Sequence, residues 1–298
     1  MWITTPTSTP RSPFPNCSDM LDHGIPWRLT PRVRRIVAPN PGAMTGPGTN
    51  TYLLGYEDVV VVDPGPAIPS HIDAILAAGG DNIRYVVVTH THPDHSPAWQ
   101  AVAEATGAQV IGSPAPIGDP HQDESFAPQL ELAHEYRLTT PELSLLALHT
   151  PGHVSNHYCF LLEEDRMLFA GDHIMNGSTV VIIPPGGDMA AYIASLRMLQ
   201  DYPVEAIAPG HGEVIEDSDR EIDKLVRHRL QRERKVMKNL EALCQGTKSC
   251  TLDDLVVKVY DDVDPSLHPW AKLSMEAHLI KLRDEGHVQQ DAAQWSLQ

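Results

Sequence analysis

The sequence predicts an α/β fold in which two sheets lie face to face with helices outside, followed by a small helical accessory domain. Three observations carry this. Strand-like apolar runs fall into two groups, one between Val33 and Val88 and one between Leu143 and Ala208. Segments of helical spacing separate and flank them. From Asp219 onward the strand pattern gives way to a long helical period. This order fits a four-layer αββα sandwich, and other α/β layerings share it.

Taken in order, residues 1–28 begin M-W-I-T-T-P-T-S-T-P-R-S-P-F-P, which has neither a strand period nor the apolar stretch of a secretory signal. They are expected to form an arm on the surface or to be disordered. The catalytic domain is expected over 29–217. Val33–Ala38, Thr51–Gly55 and Val59–Val62 are short apolar strands, and the first two are joined by the Gly/Pro-rich loop Asn40–Asn50. Ser70–Ala78 has Ile72, Ile75 and Leu76 on one helix face. Val86–Val88 is a central, fully apolar strand, and Pro97–Thr106 a helix. Ser113–Glu135, with four prolines and no sustained period, is expected to be a loop or lid. Strands then return at Leu143–His149, Tyr158–Leu162, Met167–Phe169 and Ala206–Ala208, with a helix at Met189–Leu199.

In the accessory region, 218–298, Asp219–Cys244 places Ile222, Leu225, Val226, Val236, Leu240 and Leu243 on one face and is expected to stop at Gly246. Thr251 caps a short helix. Leu273–Arg283 is another, and E-G-H-V from Glu285 turns into a strand. Helix, short helix, helix and strand make a winged-helix type of domain.

At 298 residues, 42% hydrophobic and 20% charged, the chain can bury a full core. No apolar run approaches the roughly eighteen residues a membrane span requires. Cys17, Cys159, Cys244 and Cys250 form no C-x-x-C pair, so reduced thiols in a cytoplasmic protein are expected. A formal charge of −17 repels polyanions over most of the surface and weighs against nucleic acid as a partner.

The chemistry is concentrated in V-V-V-T-H-T-H-P-D-H-S, Val86–Ser96. A buried strand ends in His90, His92, Asp94 and His95, and imidazole with carboxylate is the ligand set of a divalent metal, zinc above all. A merely His-rich polar turn is the plainer reading, and four donors directly after a buried strand speak against it. Three further turns repeat the device. T-P-G-H-V carries His153, F-A-G-D-H carries Asp172 and P-G-H-G carries His211. Any one of them alone is an ordinary turn. Together they partition as His90, His92 and His153 on one metal and Asp94, His95 and His211 on a second, with Asp172 bridging. Each metal then keeps an open position, as a catalytic site requires. Two metals a few Å apart lower the pKa of a shared water toward ~7, giving a bridging hydroxide for attack on a carbonyl or phosphorus. Asp94 is also the candidate proton acceptor. Asp63, in V-V-D-P-G, is expected to orient a ligand imidazole; a turn-capping Asp is the alternative. His157 and His173 are candidates for contacts to the ligands or the substrate, with simple packing the alternative. The remaining histidines, His71 and His278 among them, are expected to be surface or ordinary core residues.

H-x-H-x-D-H, T-P-G-H, G-D and P-G-H-G in succession resemble the metallo-β-lactamase-fold hydrolase superfamily, whose fold is the αββα sandwich. N-P-G-A-M-T-G-P-G-T-N-T-Y-L-L-G from Asn40, T-P-G-H-V-S-N-H from Thr150 and G-G-D-M-A-A-Y-I-A-S-L from Gly186 resemble its β-lactamase-like-protein-2 branch. The resemblance implies that His90, His92, Asp94, His95, His153, Asp172 and His211 hold two metal ions, that 218–298 is winged-helix-like, and that the enzyme is a hydrolase. Two Zn2+ per chain are expected, and the ligand set also admits Mn2+ or Fe2+. The substrate expected is a small acyl compound: a thioester, ester or lactone. The alternative is a single-strand-specific endoribonuclease, with relatives of this branch that cleave RNA and the run Arg227, Arg229, Arg232, Arg234 and Lys235 behind it. A solvated helix face with i,i+4 ion pairs is the plainer reading of that run. A non-enzymatic winged-helix scaffold is the third reading. The accessory domain is expected to cover the active site or to form a homodimer interface.

Overall fold

The computed structural model describes residues 21–247 and 249–298. The expectations for Cys17 and for the arm up to residue 20 lie outside them. Residues Trp27–Arg28, placed in the arm on sequence, form the edge strand β1.

The first sheet has seven strands in sequential order. After β1 come β2 (Val33–Val37), β3 (Asn50–Leu54), β4 (Val59–Val62), β5 (Ile83–Val87), β6 (Gln109–Gly112) and β7 (Leu130–Glu131). The first four are antiparallel neighbours, and β4 to β7 run parallel. Helices α1 (Pro69–Gly79) and α2 (Trp99–Thr106) make the parallel crossovers. The second sheet is β12–β11–β10–β9–β8, from β8 (Tyr136–Thr139), β9 (Ser144–His149), β10 (Tyr158–Leu162), β11 (Met167–Gly171) and β12 (Ala206–Pro209). Helix α3 (Met189–Leu199) joins β11 to the parallel β12.

Alternation along each strand builds three apolar layers. Tyr52, Val60, Val62 and Val87 of the first sheet meet Ala147, Phe160, Phe169 and Ala208 of the second between the sheets. Leu53, Val61, Val86 and Val110 face α1 and α2 on one outside. Leu146, Leu161, Leu168 and Ile207 face α3 on the other. The order is αββα.

Several short strands were not legible: β1, β6 and a last strand at Gln294–Leu297, as well as β7 and β8. β8 pairs with β9, and β7 crosses the proline-rich segment to close the sheet edge. Neither shows a period of its own, because β7 has only two residues and β8 alternates buried and exposed positions over four.

The accessory domain has helices α4 (Ser218–Thr247), α5 (Leu252–Val259) and α6 (His268–Asp284), then a hairpin of β13 (Val288–Asp291) and β14 (Gln294–Leu297). The expected stop at Gly246 is corrected: α4 runs to Thr247. Thr251 closes a capping box with Asp254 at the start of α5. Leu240, Leu255, Val259, Met275, Leu279 and Trp295 form its own core. The start of α4 belongs elsewhere: Ile222 and Leu225 join the α3 layer, as does Ala277 of α6. The accessory domain is thereby packed against the second sheet's outer face.

Cys159, Cys244 and Cys250 are free thiols. No described helix is long and apolar enough to cross a membrane.

Candidate metal centre

β4, β5, β9, β11 and β12 all release their functional turns at one edge of the sandwich. β4 and β5 are parallel, with Val62 level with Val87, so Asp63 emerges beside Thr89 and the histidine loop. β9 and β11 both run opposite to β10, and β12 runs with β11. The turns carrying His153, Asp172 and His211 therefore point the same way. The sheets are stitched together at this edge: Tyr158 N–H donates to Thr89 O at 2.8 Å, and Asn50 N–H to Gly210 O at 2.7 Å. Glycine permits the approach. A Cβ on Gly210 would lie 2.7 Å from His95 Cε1 and 2.8 Å from Asp172 Oδ1.

The seven sequence-predicted donors converge. His90, His92, His153 and Asp172 form one group and Asp94, His95 and His211 another, each with donor atoms within 4.8 Å of one another. In the first, His92 Nδ1 lies 2.9 Å from His90 Nε2 and 3.0 Å from His153 Nε2. In the second, Asp94 Oδ2 lies 3.3 Å from His95 Nε2 and 3.2 Å from His211 Nε2. Asp172 spans the two: its Oδ2 is 3.8 Å from His153 Nε2, while its Oδ1 is 3.4 Å from His95 Nε2 and 3.3 Å from His211 Nε2. A tetrahedral zinc with bonds near 2.05 Å has ligand–ligand edges of about 3.3 Å. The spacing thus suits a dinuclear site with Asp172 between the ions.

Satisfaction of polar atoms points the same way. His95 Nε2 and Asp172 Oδ1 are buried at the centre of the cluster, and neither is satisfied by a hydrogen bond. The outward nitrogens, in contrast, are held. His95 Nδ1 meets Asp63 Oδ2 at 2.9 Å, His90 Nδ1 meets Thr89 Oγ at 3.1 Å, and His153 Nδ1 and His211 Nδ1 meet the carbonyls of Val181 and Gly48 at 3.1 and 3.2 Å. Such contacts fix which nitrogen faces inward.

Asp63 is more than a turn cap. It adopts φ +50°, and its carboxylate accepts from Thr89 N–H at 2.7 Å and Thr89 Oγ at 2.8 Å while facing His95. His157 and His173 are both fully buried. The His157 ring centre is 5.0 Å from that of His90, and its Nδ1 meets Thr150 Oγ1 at 2.9 Å. His173 packs on Tyr192 at 4.8 Å. His71 and His278 are core residues.

Charge divides the site. Burial presses His92 down to about 3 and holds His90 and His153 below the ordinary imidazole range, so these three are neutral lone-pair donors. Burial acts on His95 and His211 too, but the carboxylates of Asp94 and Asp172 overcome it, lifting His95 well above its ordinary value and His211 to about 9. Both carboxylates are held far below their usual range, because His95 and His211 outweigh the cost of burying them. Without a metal the His95 and His211 protons balance the Asp94 and Asp172 carboxylates, the place a bound cation would take over.

Several supporting residues were given no individual role in the sequence, though Thr49, Asn50, Tyr52 and Asn156 lie in the stretches that carry the resemblance. Thr49 Oγ1 donates to Asp94 Oδ2 at 2.9 Å. Asn50 Nδ2 and the Tyr52 hydroxyl both donate to Pro209 O, at 3.0 and 2.7 Å, bracing the His211 turn. Arg35, fully buried, donates to Gly212 O at 2.9 Å. Asn156 Nδ2 and Gln122 both bond Thr91 Oγ1, tying the 113–135 segment to the histidine loop. They reach the site from strands and loops distant in sequence from the group each one holds, which spacing along the chain does not reveal.

The basic run departs from both readings made of it. Arg229 and Arg232 are buried: Arg229 Nη2 donates to Val180 O at 2.5 Å, and Arg232 to Val259 O and Asp262 at 2.6 and 2.8 Å. Lys235 is bound by Asp261 and Asp262. Of the five cations, Arg227 and Arg234 alone are exposed, so the run is neither an RNA track nor a solvated face.

Fold and site define a class, and comparison with known proteins agrees. Residues 44–211 match the family described as the metallo-beta-lactamase superfamily, and residues 251–295 the beta-lactamase associated winged helix domain. The chain belongs to the metallo-beta-lactamase superfamily and is a hydrolase of that group with its associated winged helix. Within it, the chain is 32% identical over 264 residues to the Beta-lactamase-like protein 2 homolog of Caenorhabditis elegans, covering 86% of this chain and 83% of the relative. It is 31% identical to the Atrochrysone carboxyl ACP thioesterase of Aspergillus chevalieri, covering 88% and 84%. A beta-lactamase domain protein from Burkholderia ambifaria shares the fold at a TM-score of 0.77 and 19% identity, covering 94% of this chain and 96% of that one.

Proposed function

We propose that the protein is a dinuclear, zinc-dependent hydrolase of acyl thioesters, with esters and lactones the nearest related substrates. The observation that carries the metal requirement is the Asp172 carboxylate, one oxygen toward each group of imidazoles. The thioester is supported by the fungal relative named as an acyl-carrier-protein thioesterase, aligned over most of both chains. His90, His92, His153 and Asp172 hold one ion; Asp94, His95, His211 and Asp172 hold the other. When bound, the two ions acidify a water and polarise the acyl carbonyl.

The chain's own residues do the rest. Asp63, Thr89 and the carbonyls of Gly48 and Val181 keep the imidazoles in the required tautomers. Asp94 is the most open of the acidic ligands, its side chain 24% exposed against 12% for Asp172, so substrate approaches from its side. Its Oδ2 faces His95, His211 and Thr49, which leaves Oδ1 to take a proton from the attacking water and return it to the leaving thiol. Met44 and Ile117 are exposed apolar side chains of the two loops whose Thr49 and Gln122 bond Asp94 and Thr91, and we assign them to the acyl chain.

The test is turnover of a thioester series with thiol release as readout. Activity lost in chelator and restored by Zn2+ is expected, and Asp94→Asn should lower kcat by about 10²–10⁴-fold. Turnover of no thioester by metal-replete protein would refute the assignment. RNA cleavage has less support, since Arg229, Arg232 and Lys235 of the basic run are held by Val180 O, Asp261 and Asp262, leaving Arg227 and Arg234 exposed.

A further inference from the structure

The start of α4 faces the 177–179 loop across a cleft of about 640 Å³. Its wall carries Arg220, Lys224, Arg227, His228 and Gln231, spaced i, i+4, i+7, i+8 and i+11 so that they share one helix face. Among the described residues Arg220 and Arg227 form no ion pair, in a chain where acids outnumber Lys and Arg by 39 to 22. Lys224 is steadied by Glu221 at 2.9 Å. His228 Nδ1 is buried in the wall without a partner. Burial, and then the charges of Arg229 and Arg232, bring His228 down to about 4, so it is a neutral polar group in a positive field.

The loop wall of the cleft is joined to the metal centre through a short stretch of chain. Gly177 follows Asp172 by five residues, and chain reach limits their separation to about 18 Å. Between them Asn176 Nδ2 donates to Glu213 O at 3.0 Å, beside the His211 turn. The loop wall of the cleft thus lies within about 18 Å of Asp172, on the order of the length of an extended cofactor arm.

We propose that this cleft binds the phosphate of a phosphopantetheine arm whose thioester end reaches the metal centre. The inference rests on the thioester reading above. A phosphopantetheine thioester carries a phosphate at one end and the scissile bond at the other, whether the arm belongs to coenzyme A or to a carrier protein. Guanidinium forks with no carboxylate to occupy them match phosphate oxygens bidentately. A track of successive phosphates along α4 would be interrupted, because Arg232 and Lys235 are held by Asp261 and Asp262 and the exposed cations resume only at Arg234 and Lys238.

The test uses the full chain and the double variant Arg220→Ser, Arg227→Ser, both exposed positions. Binding of 4′-phosphopantetheine is measured by calorimetry. Turnover is measured for one acyl group on pantetheine, phosphopantetheine, coenzyme A and a carrier protein. Wild type should bind phosphopantetheine and prefer the phosphorylated arm over pantetheine by roughly tenfold in kcat/KM, through KM, a ratio that falls to about one in the double variant. A higher value on coenzyme A or on the carrier protein identifies the arm's owner, and either supports the cleft. No phosphopantetheine binding, or binding and preference that survive the double substitution, overturns the inference while the thioester reading stands. Binding retained with no thioester turned over supports the cleft and refutes the thioester reading instead. Tighter binding of a single-stranded oligonucleotide than of phosphopantetheine, lost in the double variant, assigns the cleft to nucleic acid and overturns the inference.

Discussion

Asp63 illustrates how far a single side chain reaches. Its two oxygens hold Thr89 and aim His95, so its removal acts on the metal without touching it. Asp63→Asn should weaken metal binding by about 10–100-fold, read by competition with a chromogenic chelator; unchanged affinity would mean that Thr89 and the backbone suffice. His71 carries a different consequence. Burial lowers it to about 4, while a free imidazole titrates near 6.5. Between these values the unfolded chain binds the proton and the folded chain does not, so this stability is complete above about pH 6.5 and declines as pH falls toward 4. His71→Gln should remove on the order of 3 kcal/mol of the loss in unfolding free energy between pH 7 and pH 4. Denaturant titrations of both proteins at the two pH values measure the difference, and parallel curves would contradict it. Asp63 was legible because it ends an apolar strand before Pro-Gly. The burial of His71 was not, since it depends on Thr51 across the sheet, 2.8 Å from its Nε2.

At the scale of elements, the sequence exposes what repeats and conceals what depends on a neighbour. The ligand turns were readable because each follows an apolar strand, and β4, β10 and α3 fall where their periods place them. The tie between α4 and the catalytic layers was concealed. Arg229 reads as one more surface cation, yet it is 3% exposed, bonded to Val180 O and 5.1 Å above the Tyr192 ring. Composition marks its charge and not its direction. Arg229→Ala leaves a buried carbonyl unpaired and removes a cation–π contact, which should cost about 2–4 kcal/mol. Thermal unfolding should show this as a loss confined to stability, with kcat on a phosphate-free thioester changing far less than it does for Asp94→Asn. An unaltered midpoint would show that the packing of Ile222, Leu225 and Ala277 holds the helix by itself.

For the molecule as a whole, the layering follows from where the apolar faces must go. Two sheets with apolar residues on both faces need partners on three levels, and α1 and α2, the opposite sheet, and α3 with the ends of α4 and α6 supply them. That arrangement brings the carboxyl ends of strands from both sheets to one edge, where seven donors meet. The chain is acidic as a whole, and Arg220 and Arg227, which form no ion pair among the described residues, lie together on α4. The measurement that tests this account most directly is the count of metal ions per chain against turnover: apo-protein titrated with Zn2+, with bound metal by elemental analysis and thioester hydrolysis followed together. The account predicts saturation at two ions per chain, full activity only at the second, and loss of that second ion in Asp172→Ala. Saturation at one ion with full activity, or turnover in metal-free protein, would contradict it.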